Sequence, residues 1–129
     1  MAKIERFEDV EAWKLAREST KLIYDISGAG YFAKDFPLRD QIRKSSVSIM
    51  SNIAEGFERD GDREFVNFLS IAKGSCGEAR SQLYVAFDQR YVTEEQFQFV
   101  YSSLNETGKR IGGFMKYLQQ SNLRGPKFR

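Results

Sequence analysis

The segment 36–59, FPLRDQIRKSSVSIMSNIAEGFER, constrains this chain more than any other. It reads as a helix, with Pro37 in the first turn, where a missing N–H removes no hydrogen bond. At an advance of about 100° per residue, Gln41, Ser45, Ser48, Asn52 and Glu55 fall on one narrow polar stripe. Leu38, Ile42, Ile49 and Ile53 form an apolar stripe beside it, and Val47, Met50, Ala54 and Phe57 lie around the opposite side. Only a thin line through Asp40, Lys44, Ser51 and Glu58 has the character of a solvated face. A helix with so little surface to give to water needs cover on more than one side. The segment therefore predicts burial in a bundle and, beyond that, an assembly of several bundles.

The rest of the chain supplies partner helices. Helix one is expected over about 9–27, with Asp9 as N-cap and Glu11 favoured in the first turn by the helix dipole. Trp13, Ala16, Thr20 and Ile23 recur at helical spacing, and Leu15, Leu22 and Ile26 form a neighbouring stripe. Residues 27–36, with Gly28 and Gly30, read as a loop whose Tyr31, Phe32 and Phe36 pack over the end of the bundle. Helix two spans 37–59. Helix three is expected over 62–90 with Asp62 as N-cap. Its core stripe is Phe65, Phe68, Leu69, Ala72, Cys76, Ala79, Leu83, Ala86 and Phe87, with Ser75, Glu78 and Gln82 as a polar ridge alongside. Gly74 and Gly77 stand in mid-helix, each at roughly 1 kcal/mol relative to alanine, which predicts a close approach by a neighbouring backbone. Arg90, Tyr91 and Val92 make a tight turn. Thr93, Glu94, Glu95 and Gln96 have capping-box spacing and open a helix over about 94–121. Its buried face is Phe97, Val100, Tyr101, Leu104, Gly108, Ile111, Met115 and Leu118. Residues 122–129, with Gly125 and Pro126, read as a flexible tail. No alternation of strand type competes. The predicted fold is one all-α domain over 1–129, an antiparallel up-down-up-down four-helix bundle.

Residue inventory removes most catalytic chemistry. The chain has no histidine, so serine–histidine and cysteine–histidine pairs and most zinc sites are excluded. Cys76 is the only cysteine, which forbids an intrachain disulfide and fits a small core residue. Glu55 and Glu58 at i, i+3 lack the histidine that di-metal bundles require. No glycine-rich phosphate loop follows a strand. A protein without enzymatic activity, cofactor or metal is expected. Apolar runs are short and broken by charge, and the N-terminus lacks a signal-peptide pattern, which points to the cytoplasm.

The net charge of +2 conceals an asymmetry. After Glu106 there are six cations and no acid, while the first 106 residues hold fourteen cations against all eighteen acids, a net −4. Lys14, Arg17 and Lys21 line helix one at i, i+3, i+7; Arg39 and Arg43 share a face of helix two; and Lys109, Arg110, Lys116, Arg124 and Lys127 follow. These are the candidate nucleic-acid contacts, directed at phosphates because no base-reading motif is visible. Arg43 has a second reading, pairing with a carboxylate inside an interface. The polar stripe of helix two, joined by Glu78 and Gln82 of helix three, reads either as a ligand groove or as a hydrogen-bonded network between helices or subunits. The network has Glu55 or Glu78 facing Arg43 or Arg80. Small serines allow close helix approach and a buried amide must be paired, which favours the network.

Three blocks, FEDVEAWKLAR (7–17), FPLRDQIRKSSVSIMSNIAEG (36–56) and FVNFLSIAKGSCGEARSQL (65–83), together resemble the bacterial four helix bundle protein family. It is also called the 23S rRNA intervening-sequence protein family and sometimes described as ribosomal. The resemblance runs over roughly residues 4–120 and implies a cytoplasmic bacterial protein without known catalysis. It also implies similarity to the accessory protein of diversity-generating retroelements, a barrel-shaped homopentamer that binds nucleic acid and a reverse transcriptase. The expectation is therefore a ring-like homo-oligomer that binds RNA or DNA, in association with rRNA, through basic surface and tail. The alternative is a protein–protein adaptor that touches no nucleic acid.

Overall fold

The computed structural model of the chain describes residues 4–124, with side chains through Gln120. Four helices account for most of it: α1 (Glu11–Ser27), α2 (Phe36–Glu58), α3 (Asp62–Asp88) and α4 (Glu94–Arg124). Short 3-10 turns stand at Phe7–Asp9 and Phe32–Lys34, and no strand occurs among the described residues. Contacts run α1–α2, α2–α3, α3–α4 and α4–α1, closing a four-cornered bundle.

Polar bridges mark every seam. Ser19 Oγ meets Ser103 Oγ at 2.7 Å and Thr107 Oγ1 at 3.1 Å between α1 and α4. Thr20 Oγ1 donates to the Ser46 carbonyl at 3.2 Å between α1 and α2. Ser45 donates to Gln82 Oε1 at 3.0 Å, and Ser48 Oγ meets Ser75 Oγ at 2.9 Å, between α2 and α3. Cys76 Sγ donates to the Leu104 carbonyl at 3.3 Å between α3 and α4. Further contacts give the direction. Ser27 meets Arg43 between α1 and α2. Phe65 meets Phe114 and Phe87 meets Phe97 between α3 and α4. Residues 10–14 lie beside residues 109–117 between α1 and α4. Residue numbers thus rise on one helix as they fall on its neighbour, and every neighbour is antiparallel. This is the up-down-up-down order the periodicity predicts.

The core follows the stripes named from spacing, except that Leu15 and Phe68 are only half-buried and stand outside it, while Val10, Phe32 and Val92 join it. Ile23, Ile42, Ile49, Ile53, Leu69, Leu83, Leu104, Ile111 and Leu118 are fully buried. Each such side chain contributes about 1.5–3 kcal/mol by leaving water. The helix starts are partly corrected. Thr93 opens α4 as expected: Gln96 N donates to Thr93 Oγ1 at 3.0 Å, and Thr93 N to Gln96 Oε1 at 2.9 Å. Asp9, expected to cap α1, instead accepts from the N–H groups of Glu5 and Arg6 at 3.0 and 3.2 Å and so closes the preceding 3-10 turn. Val10 precedes α1 with no side-chain cap. Asp62 is the first residue of α3 rather than its cap, because Gly61, at φ 91°, makes the reversal. The α2 cap is Asp35, whose carboxylate accepts from Leu38 N at 3.2 Å. At the C-terminus α4 continues through Arg124, past the expected end near 121, since no residue before Gly125 and Pro126 interrupts it. The remainder of the expected tail, residues 125–129, lies outside the described residues.

Two expectations about close packing are overturned. Gly74 is exposed, with nothing within 4 Å of where a Cβ would sit, and at Gly77 only the Arg80 guanidinium comes within 3.9 Å. The close approach is at Gly56, where a Cβ would meet Phe68 Cβ at 2.7 Å and Phe65 Cδ1 at 2.9 Å. Of the loop aromatics, only Phe32 packs over the bundle end, stacked on Tyr91 with centroids 5.5 Å apart. Tyr31 and Phe36 are 76% and 58% exposed, each under a cation, Lys34 at 5.7 Å and Arg39 at 4.8 Å.

Helix α2 also gives more to water than its pattern implied. Gln41, Val47 and Glu55 join Asp40, Lys44, Ser51 and Glu58 on a continuous exposed line, while α1 and α3 of the same chain cover the rest. The need for cover is met within one bundle, so burial of α2 does not by itself demand further copies.

Candidate nucleic-acid interface

Helix α1 faces α4 around the Ser19–Thr107 bridge, and one turn beyond it the seam opens into a groove of about 460 Å3. Its floor is apolar, with Val10, Ala12, Gly113, Phe114 and Tyr117. Its edges carry Lys14 from α1 and Lys109 and Arg110 from α4, with the carboxylates of Asp9 and Glu11 at the α1 end. All three cations are exposed. Arg110 keeps an i, i+4 pair to Glu106 at 3.6 Å, which at half exposure is weak and leaves the guanidinium available to water. The antiparallel register thus joins two groups of basic residues that stand nearly a hundred positions apart in sequence.

Arg17 and Lys21 extend this edge along the exposed side of α1, Arg17 with its guanidinium 5.9 Å from the Trp13 ring. Lys116 is exposed further along α4. Arg124 is helical, its side chain not among those described, and Lys127 lies outside the described residues.

The two arginines of α2 do not join this surface. Arg39 is held by Asp40 Oδ1 at 3.0 Å and by the Ala33 carbonyl at 3.1 Å. Arg43 Nε donates to Ser27 Oγ at 2.8 Å, and its guanidinium stacks 4.4 Å over Tyr24. Both fasten α2 to the loop and to the end of α1. Among the described residues of one chain Arg43 pairs with no carboxylate, because Ser27 and the Tyr24 ring already occupy its guanidinium.

The polar stripe resolves into intramolecular pairs. Ser45, Ser48 and Gln82 take part as described, and Asn52 Nδ2 donates to the carbonyl and Oγ of Ser48 within its own helix, at 2.9 and 3.0 Å. Gln41, Glu55 and Glu78 lie outside this network, exposed. Glu55 pairs with Arg59 one turn on, at 2.9 Å, rather than with Arg43 or Arg80, since a local partner at i+4 needs no reach across the bundle. Cys76 is fully buried, and desolvation pushes its thiol up to about 11. Among the described residues no group of three His, Cys, Asp or Glu is placed to hold a metal, and no helix is long and apolar enough to cross a membrane.

Spacing alone did not place two further cations here: Lys73, and Arg80, which was expected to face Glu55 or Glu78. They rise from α3 on the other flank of α4, toward Lys109. Their signal was the i, i+7 interval on one side of α3, beside glycines at 74 and 77.

Fold and surface together define a small four-helix bundle with a basic flank centred on its last helix. The chain belongs to the 23S rRNA-intervening sequence protein family, whose model matches residues 8–113. Among solved structures it is similar to a protein of unknown function from the S23 ribosomal protein family of Bacteroides thetaiotaomicron. The TM-score is 0.74 at 24% identity, covering 81% of this chain and 95% of that one. That likeness concerns the fold. Among curated proteins, none matches this chain.

Proposed function

We propose that this protein is a non-enzymatic helical bundle that binds nucleic acid, rRNA-associated RNA foremost, through phosphate contacts. It acts in the cytoplasm as a ring of identical subunits, five by resemblance to the retroelement accessory protein. The observation that carries the reading is the gathering of Lys14, Lys109 and Arg110 along the α1–α4 groove. Family membership, tied by name to an intervening sequence of 23S rRNA, agrees with it. One subunit offers few contacts, and a ring repeats them on a common frame, which raises avidity without any new contact type.

The test is a gel-shift titration of a structured RNA and a DNA duplex across a salt series. Three phosphate contacts per subunit give a fall of log K against log salt with a slope of about −3 for each subunit engaged. No binding at low salt overturns the proposal. Light scattering tests the ring: five copies of the 14.9 kDa chain weigh about 75 kDa.

The apolar floor of the groove supports a second reading, an adaptor that docks another protein there. Binding through that floor survives high salt, whereas phosphate contacts do not.

A further inference from the structure

On the opposite flank of α4 from Lys14, a second and smaller concavity of about 170 Å3 lies between α3 and α4, lined by Lys73, Arg80, Asn105, Gly108 and Lys109. This is several times the roughly 30 Å3 of a water molecule. Its polar character contrasts with the apolar groove on the α1 side. The cations are not spent elsewhere: none of Lys73, Arg80 or Lys109 forms an ion pair among the described residues. The nearest acid on α4, Glu106, is engaged by Arg110.

Glycines shape the site. A Cβ at Gly108 would lie 3.4 Å from Arg80 Nη1, and one at Gly77 would lie 3.9 Å from Arg80 Nη2. A Cβ at Gly112 would lie 3.4 Å from Lys73 Cε. The Arg80 guanidinium therefore lies against bare helix backbone, and the stem of Lys73 passes over Gly112 while the residue itself stays exposed. Arg80 is half-buried, with its fork between Gly77 and Gly108. Holding a guanidinium in one place removes part of the rotamer entropy that an anion would otherwise have to freeze out. A planar fork, an ammonium on each side and a carboxamide donor match a tetrahedral oxyanion with several acceptor oxygens.

We propose that the α3–α4 groove is a phosphate subsite, in which Arg80, Lys73 and Lys109 hold a backbone phosphate of a bound nucleic acid. The proposal rests on the nucleic-acid reading above and extends it with two residues outside the α1–α4 groove. Lys109, which borders both grooves, joins the two sites across the ridge of α4, so one strand engages both flanks.

Two experiments test it. In the salt series, Arg80→Gln is expected to weaken RNA and duplex binding roughly tenfold and to make the salt slope shallower by about 1. Arg80→Lys restores part of the affinity, and Lys44→Gln, which removes the same charge from the exposed line of α2, leaves affinity and slope unchanged. Circular dichroism melts confirm that each variant is folded. Equal losses in Arg80→Gln and Lys44→Gln, or an unchanged slope in Arg80→Gln, overturn the subsite. The second experiment titrates the whole protein with pyrophosphate and follows backbone amide resonances. Shifts centred on Gly77, Gly108 and Gly112, absent in Arg80→Gln, support the subsite even if no nucleic acid binds, an outcome that removes only the broader reading. No shift at those glycines overturns the subsite even if nucleic acid binds.

Discussion

The phenol of Tyr91, in the turn between α3 and α4, donates a 2.9 Å hydrogen bond to Asp35 Oδ2, while Oδ1 of the same carboxylate caps α2 through Leu38 N. One side chain thus serves two elements. With the Tyr91 ring stacked on Phe32, it fastens the loop before α2 to the turn after α3. The bond to Asp35 is the main cause of a phenol pKa raised above the usual 10.0, with desolvation and the nearby negative charge adding to it. A group whose pKa is raised on folding adds stability that is fully present below its unfolded value. That stability is lost as pH climbs through the folded value.

Tyr91→Phe is accordingly expected to lower the melting temperature by a constant amount through neutral pH. The gap to the parent protein then narrows above about pH 10, where the parent loses the same bond. Thermal melts followed by circular dichroism at stepped pH check this. A gap that persists undiminished in alkali would place the effect in ring packing instead.

Two glycines of the same helical type give opposite outcomes. Gly56→Ala drives a methyl group to 2.7 Å from Phe68 Cβ, an atom fixed to the α3 backbone, so α2 and α3 must separate. Overpacking of this kind costs about 1–3 kcal/mol, more than the helix propensity gained. Gly74→Ala meets nothing within 4 Å and is expected to stabilise by about 0.5–1 kcal/mol. Urea melts of the two variants beside the parent give both signs. A destabilised Gly74→Ala would show that a second copy of the chain packs against α3 there.

That pair also shows how far the sequence was legible. The apolar stripes of α3 and α4 gave the bundle and its order because a helix period is a local property. The Thr93–Gln96 box was equally legible, since both partners lie within four residues. Glycine tightness was not, because it depends on which neighbour crosses there, and the crossing falls at Gly56. Asp9 and Asp62 are good caps by type, yet the entering chain assigns them other positions. The basic site was half legible. Lys14 and Lys109 stand out by exposure-type spacing. Arg43 and Arg80 both sit otherwise than expected, because Ser27 and Tyr24 capture the first and bare glycine backbone receives the second.

Cys76 is expected to be chemically silent in the folded protein. Its side chain is fully buried, its thiol donates to the Leu104 carbonyl, and desolvation pushes its pKa up to about 11. At pH 8 the thiolate fraction is then about one part in a thousand, and the reagent has no path to it. An aromatic disulfide reagent should release no colour from the native protein over an hour and one equivalent in denaturant. Fast native labelling would mean that α3 and α4 separate locally.

The Ser19, Ser103 and Thr107 bridge at the α1–α4 seam is a side-chain contact set largely within the core. Ser19 and Thr107 are both fully buried. Thr107 Oγ1 also donates to the Ser103 carbonyl at 2.8 Å, so it keeps one partner when Ser19 is removed, whereas Ser103 Oγ loses its 2.7 Å contact. Ser19→Ala is therefore expected to cost about 1 kcal/mol, near the low end for a buried hydroxyl, because only one half-buried group is left to seek water. Thr107→Ala should cost more, since it opens a void as well as breaking the bond. The double variant should fall short of the sum by about 0.5–1 kcal/mol, the coupling of two groups that share a bond. Equilibrium unfolding of the two single variants and the double variant measures this. Strict additivity would show that the hydroxyls of α1 and α4 act independently and that apolar packing alone holds the seam on which the Lys14, Lys109 and Arg110 groove is built.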